Sequence, residues 1–134
     1  MAKKPSMTPS DFELQILGVL WEGGPATVRQ VMERLPDGKK RAYTSVLSVM
    51  QVMQKKRFLA ATKEPDGPAH VFTPLVARDK VAGPLLRGLV ATVFGGVTHA
   101  AVQQLLDEKQ VSRDEIAKLR DLLDRVEARQ QKKK

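Results

Sequence analysis

Ala42-Tyr43-Thr44-Ser45-Val46-Leu47-Ser48-Val49-Met50-Gln51-Val52-Met53-Gln54-Lys55-Lys56-Arg57 has helical periodicity and two unlike faces. At about 100° per residue, Tyr43, Val46, Leu47, Met50 and Met53 fall within one apolar sector, while Thr44, Ser45, Ser48, Gln51, Val52 and Lys55 point the other way. The outward face offers hydroxyls, an amide and a branched apolar group. Such groups can hydrogen-bond base edges in a major groove and meet a thymine methyl, so Thr44, Ser45, Ser48, Gln51 and Val52 are the candidate base contacts. The plain alternative is a solvated helix surface, since short polar residues occupy any exposed face. The flanks weigh against it. Lys39, Lys40 and Arg41 precede the run, Lys55, Lys56 and Arg57 close it, and Lys63 follows. These seven are the candidate phosphate contacts, which position a protein on nucleic acid without reading its sequence.

Upstream, Ser10-Asp11-Phe12-Glu13 has capping-box spacing and opens a helix to about Glu22, with Phe12, Ile16, Leu17, Leu20 and Trp21 on one stripe and Gly23-Gly24-Pro25 as its stop. On that stripe Trp21 and Phe12 read as core. Thr27-Val28-Arg29-Gln30 repeats the capping logic for a short helix that ends at Pro36-Asp37-Gly38. Arg29 and Arg34 on this helix can face either a nucleic-acid backbone or solvent. Downstream, Phe58–Lys63 reads as a strand, Glu64-Pro65-Asp66-Gly67-Pro68 as a turn, and His70-Val71-Phe72-Thr73 as the returning strand. Three helices followed by a two-stranded hairpin, within roughly 65 residues, is the element order of a winged helix-turn-helix.

From about Arg78 helix formers dominate. Val81 to Phe94 is apolar on most of its circumference, which predicts burial on several sides, with an irregularity at Gly83-Pro84 and a stop at Gly95-Gly96. A short helix from about Thr98 to Leu106 follows, and Ser112-Arg113-Asp114-Glu115 caps another to about Ala128, with Ile116, Leu119, Leu123 and Val126 at heptad-like steps. Helices this apolar need a partner surface. The candidate dimerisation residues are Leu86, Leu89, Val93, Phe94, Ile116, Leu119, Leu123 and Val126. The fold expected is thus mainly α with a small β-hairpin wing. Residues 1–7 form a tail, 8–75 a winged-helix DNA-binding domain, 76–129 a helical dimerisation domain, and 130–134 a basic tail that frays.

Composition narrows the function. The chain has 134 residues, 42% of them hydrophobic, enough for one modest core and a helical appendage. Lys and Arg outnumber Asp and Glu 23 to 15, a net +8 that suits a polyanionic partner. With no cysteine, disulfides, thiolate metal sites and cysteine nucleophiles are excluded. His70 and His99 stand alone, without metal-ligand spacing, and read as surface residues. No phosphate loop, dinucleotide fingerprint or nucleophile elbow is present, so neither an enzyme nor a cofactor is expected. No window supplies the ~20 apolar residues of a membrane span, and the basic start leads into no signal-like apolar stretch, which makes the cytoplasm the default.

Several stretches together resemble the penicillinase-repressor family: Ser10–Leu17 to Trp21, Ala42–Met50, Lys55-Lys56 before Phe58-Leu59, Val71-Phe72-Thr73-Pro74, Val93-Phe94-Gly95-Gly96, and Ser112–Leu119 with Leu122-Leu123. The resemblance spans nearly the whole chain. It implies a homodimeric repressor whose winged helix binds a dyad-symmetric operator on double-stranded DNA, with the later helices forming the dimer interface. It also implies regulation by a membrane sensor that triggers proteolysis, or by copper. The copper-responsive branch uses C-terminal cysteines, and this chain has none. Cleavable members are cut at an Asn-Phe bond, where this sequence has Gln104-Leu105. Gly67-Pro68-Ala69 also lacks the wing arginine common after the glycine. Two other classes compete: a winged helix docking an acidic protein, and a sequence-tolerant architectural DNA binder. The first fits poorly with Thr44, Ser45, Ser48 and Gln51, because docking faces usually carry aromatic or aliphatic anchors.

Overall fold

The computed structural model describes residues 8–63, 67 and 69–132. The expected N-terminal tail, most of the hairpin turn and the last two lysines lie outside the described residues. The elements are α1 (Asp11–Gly23), α2 (Val28–Arg34), α3 (Tyr43–Lys55), β1 (Leu59–Lys63), β2 (His70–Pro74), α4 (Arg78–Val93), α5 (Thr98–Glu108) and α6 (Arg113–Lys132). They form a winged helix followed by helices. The chain divides into two compact units, the first ending at Leu85 and the second starting at Leu86.

Local chemistry sets the element ends of the first unit. Ser10 Oγ accepts from the Glu13 N–H (3.2 Å) while Glu13 Oε1 accepts from the Ser10 N–H (2.9 Å), completing the capping box of α1. Thr27 and Gln30 make the same reciprocal pair for α2. Gly24 stops α1 at φ 83°, a left-handed conformation that costs glycine no steric penalty. β1 and β2 pair antiparallel in the register Leu59 with Pro74 to Lys63 with His70. Ala26, between α1 and α2, exchanges both backbone hydrogen bonds with Phe72, so β2 is pinned on its other edge as well.

One core joins these elements. Ile16, Leu17 and Leu20 of α1, Val28 and Val31 of α2, Val46, Met50 and Met53 of α3, and Phe58, Leu59 and Phe72 around the hairpin are all buried. Each such side chain contributes roughly 1.5–3 kcal/mol relative to exposure. Phe12 and Trp21 pack at the core's edge, as their places on the stripe predict. Trp21 also donates its indole N–H to the Val76 carbonyl (2.9 Å), tying the strand leaving the wing back to α1.

The second unit is built differently. Beyond Val81 no described residue is buried, and Leu86, Leu89, Val93, Leu105 and Leu123 are each at least half exposed. The burial expected on several sides of α4 is therefore not found among the described residues, where Leu85, Leu86 and Leu89 are all exposed. α4 runs through Gly83-Pro84, with Pro84 inside the helix where an irregularity is expected. α6 continues to Lys132, past the expected end near Ala128, since Arg129 and Lys132 favour the negative end of the helix dipole. No single helix among the described residues is long and apolar enough to cross a membrane.

Candidate nucleic-acid interface

The first unit sets α3 against α1 and α2 through Val46, Met50 and Met53, and this packing decides what α3 shows outward. Thr44, Ser45, Ser48, Gln51, Val52 and Lys55 are all exposed. They occupy a sector of about 120° opposite the buried residues at 100° per residue. The helix contains no acidic residue. A surface of short hydrogen-bonding groups without carboxylates suits the edges and phosphates of a duplex.

The flanking cations divide into two groups. Lys39, Lys40, Lys55, Arg57 and Lys63 are exposed and enter no ion pair among the described residues. Arg41 and Lys56 are instead tied to carboxylates at the two ends of α3. Arg41 makes a bidentate pair with Asp37, at 3.0 and 2.7 Å, and its guanidinium lies 4.1 Å from the centre of the Phe12 ring. Those hydrogen bonds from Arg41, with one from the Lys39 N–H, hold the Asp37 carboxyl well below the usual carboxylate range. Lys56 donates to Glu13 Oε2 at 3.0 Å. Burial pushes the Glu13 carboxyl up, but the Ser10 N–H, the Lys56 ammonium and the Ser10 hydroxyl outweigh it, and the net position is below the ordinary value. Glu13 is the one buried charged group among the described residues. One end of α3 is thus latched to the preceding turn and the other to α1.

The end of α3 has a further peculiarity. The Phe58 N–H reaches the Met53 carbonyl and the Arg57 N–H the Gln54 carbonyl, at 2.9 and 3.1 Å, the paired bonds of a Schellman ending. The left-handed position in that motif usually holds glycine, and here Arg57 adopts φ 68°.

The structure departs from the periodicity at Tyr43. It is 39% exposed, and the Arg29 guanidinium sits 5.2 Å from its ring centre. The signal was available in part, because a tyrosine in the first turn has no preceding turn to cover it and its hydroxyl prefers water. The pairing with Arg29, across 14 positions, is a tertiary event. His70 and His99 are exposed. Among the described residues no group of three or more His, Asp or Glu side chains converges on a metal-sized site.

A winged helix whose third helix is basic at both flanks and free of acid has the form of a DNA-binding module. The sequence profile described as penicillinase repressor matches residues 9–125. The chain belongs to this family. It is 34% identical over 120 residues to the transcriptional regulator BlaI of Mycobacterium tuberculosis, in both strain CDC 1551 / Oshkosh and strain H37Rv, covering 88% of this chain and 84% of the relative.

Proposed function

We propose that this repressor binds a dyad-symmetric operator as a homodimer, each protomer inserting α3 into a major groove. The observation that carries the reading is the acid-free outward face of α3, with Thr44, Ser45, Ser48, Gln51 and Val52 as base contacts. Lys39, Lys40, Lys55, Arg57 and Lys63 contact phosphates, and Arg41 and Lys56 orient the helix. Homodimer formation is supported by the second unit, whose Leu86, Leu89, Val93, Ile116 and Leu123 are exposed and whose Phe94, Leu119 and Val126 are only partly covered. Residues 8–75 serve as the DNA-binding part and 76–129 as the dimerising part. Pairing sets the two recognition helices about 34–36 Å apart, one turn of B-DNA, and the bound dimer excludes polymerase in the cytoplasm. Repression ends when pairing weakens or the chain is cut between its two parts, because a single half-site retains a fraction of the affinity. A membrane sensor or protease is the partner class that would deliver such a signal.

The test is a titration of the purified chain against its own promoter fragment and a scrambled duplex at several salt concentrations. Selectivity of at least ~10³-fold, with one dimer per dyad, supports the reading. Equal, salt-sensitive binding to both duplexes replaces it with sequence-tolerant architectural binding. Failure to bind either points to a protein partner.

A further inference from the structure

A cleft of about 300 Å³ opens between the start of α2, one flank of α3 and the wing strand β2, lined among others by Thr27, Arg29, Tyr43, Leu47, Gln51 and His70. None of the described residues that line it is acidic. Arg29 makes no ion pair and donates no hydrogen bond to another described residue, yet it is not loose, because its guanidinium is seated over the Tyr43 ring. A guanidinium that spends its contact on a ring and none on a carboxylate has its N–H groups available for a tetrahedral anion, which it can grip with two parallel hydrogen bonds. Further donors converge on the same space. Thr27 Oγ1 accepts from the Gln30 N–H, which leaves its own hydroxyl hydrogen to donate. Gln51 and His70 line the same cleft, beside the apolar Val28, Leu47 and Phe72. An arginine free of ion pairs, beside hydroxyl and amide donors and with no carboxylate among the described lining residues, suits one phosphate.

We infer that this cleft seats a backbone phosphate of the bound duplex, with Arg29 as its main ligand and Tyr43 as the residue that positions Arg29. The inference rests on the reading of α3 as the groove-inserted helix. Gln51 belongs both to the cleft and to the outward face of α3, so the phosphate held here flanks the base pair that Gln51 meets. Because α2, α3 and β2 all border the cleft, one phosphate fixes the angle at which the recognition helix and the wing approach the duplex. The contact carries affinity and register but no sequence preference.

The full-length chain and its Arg29→Gln, Tyr43→Ala and double variants are titrated with two labelled 30-base-pair duplexes, its own promoter fragment and a random sequence, across a salt series. Melting temperature serves as the control for folding. Arg29→Gln is expected to lose about threefold to tenfold in affinity for both duplexes and to lower the slope of log K against log salt by about 0.9, with unchanged melting. Tyr43→Ala is expected to weaken binding in the native background and to add nothing once Arg29 is gone, the signature of positioning. An unchanged slope in Arg29→Gln, or a loss confined to the promoter duplex, overturns the inference. So does saturable binding of inorganic phosphate that depends on Arg29 while duplex affinity does not, which makes the cleft a free-anion site. If the native chain binds neither duplex, the groove reading of α3 falls and takes this inference with it. If it binds and Arg29→Gln binds equally well, only the cleft assignment falls.

Discussion

Arg57 sits in a backbone conformation that glycine adopts freely and other L-residues adopt at a penalty of roughly 1–2 kcal/mol. Its side chain is exposed and makes no ion pair among the described residues, so the fold alone gains nothing from an arginine there. Arg57→Gly is therefore expected to raise stability by about 1 kcal/mol in thermal or urea denaturation, while weakening binding to any duplex and lowering the salt slope by about one phosphate. A variant that is stabler and binds DNA unchanged would remove Arg57 from the phosphate contacts. Glu13 shows the opposite economy, a buried carboxylate doubly used. Its folded-state pKa lies below the ordinary glutamate value of about 4.3, so its charge stabilises the fold above that value, and the contribution is lost as pH falls through the depressed one. Glu13→Gln should lower stability by about 1–3 kcal/mol near neutrality, and the gap to the native chain should close below about pH 4 in pH-dependent melts. Glu13 was legible as the carboxylate that closes a capping box, a local motif. Its bond to Lys56 was not, because 43 positions separate the partners and only the packing of α1 on α3 brings them together.

At the scale of elements, periodicity and caps located every helix and both strands to within a few residues, because those signals act within one turn or one strand pair. What they could not supply was the exposure of each face once helices packed. Tyr43 shared an angular sector with Val46 and Met50, yet it stands at the uncovered first turn of α3 and stays accessible. Arg41 and Lys56 looked identical in sequence to their basic neighbours, and only Asp37 and Glu13 distinguish them as latches of α3. The distinction can be measured. Lys55→Ala should weaken duplex binding uniformly and lower the salt slope by about one contact, whereas Arg41→Ala should chiefly lower the melting temperature. Gln51→Ala should reduce discrimination at one base pair by about 1–3 kcal/mol, read by competition among operator variants. The link between α1 and the wing is equally specific. Trp21→Phe keeps the ring but loses the bond to the Val76 carbonyl, and a stability loss of about 1 kcal/mol in denaturant is expected.

The two parts of the whole molecule were legible to different depths. The winged helix could be read almost completely, because its core is self-contained and each buried position lies on a period. For the second unit, Val81 to Phe94 read as buried on several sides and its helices as needing a partner surface, since a sequence records how apolar a helix is but not where its cover comes from. Leu123, 67% exposed, tests this directly. Leu123→Glu should shift the chain toward monomer in sedimentation at micromolar concentration and weaken operator binding, with the first unit still folded by its near-ultraviolet tryptophan signal. A dimer untouched by that change would move the interface elsewhere. The bare second unit also bears on gene dosage. If two incomplete halves must meet before either side of that surface is covered, then at low abundance the assembled species grows as the square of the number of chains made. A twofold dip in synthesis then removes up to three quarters of it, and a cell could leave the repressed state through a modest fall in translation, with no small molecule involved.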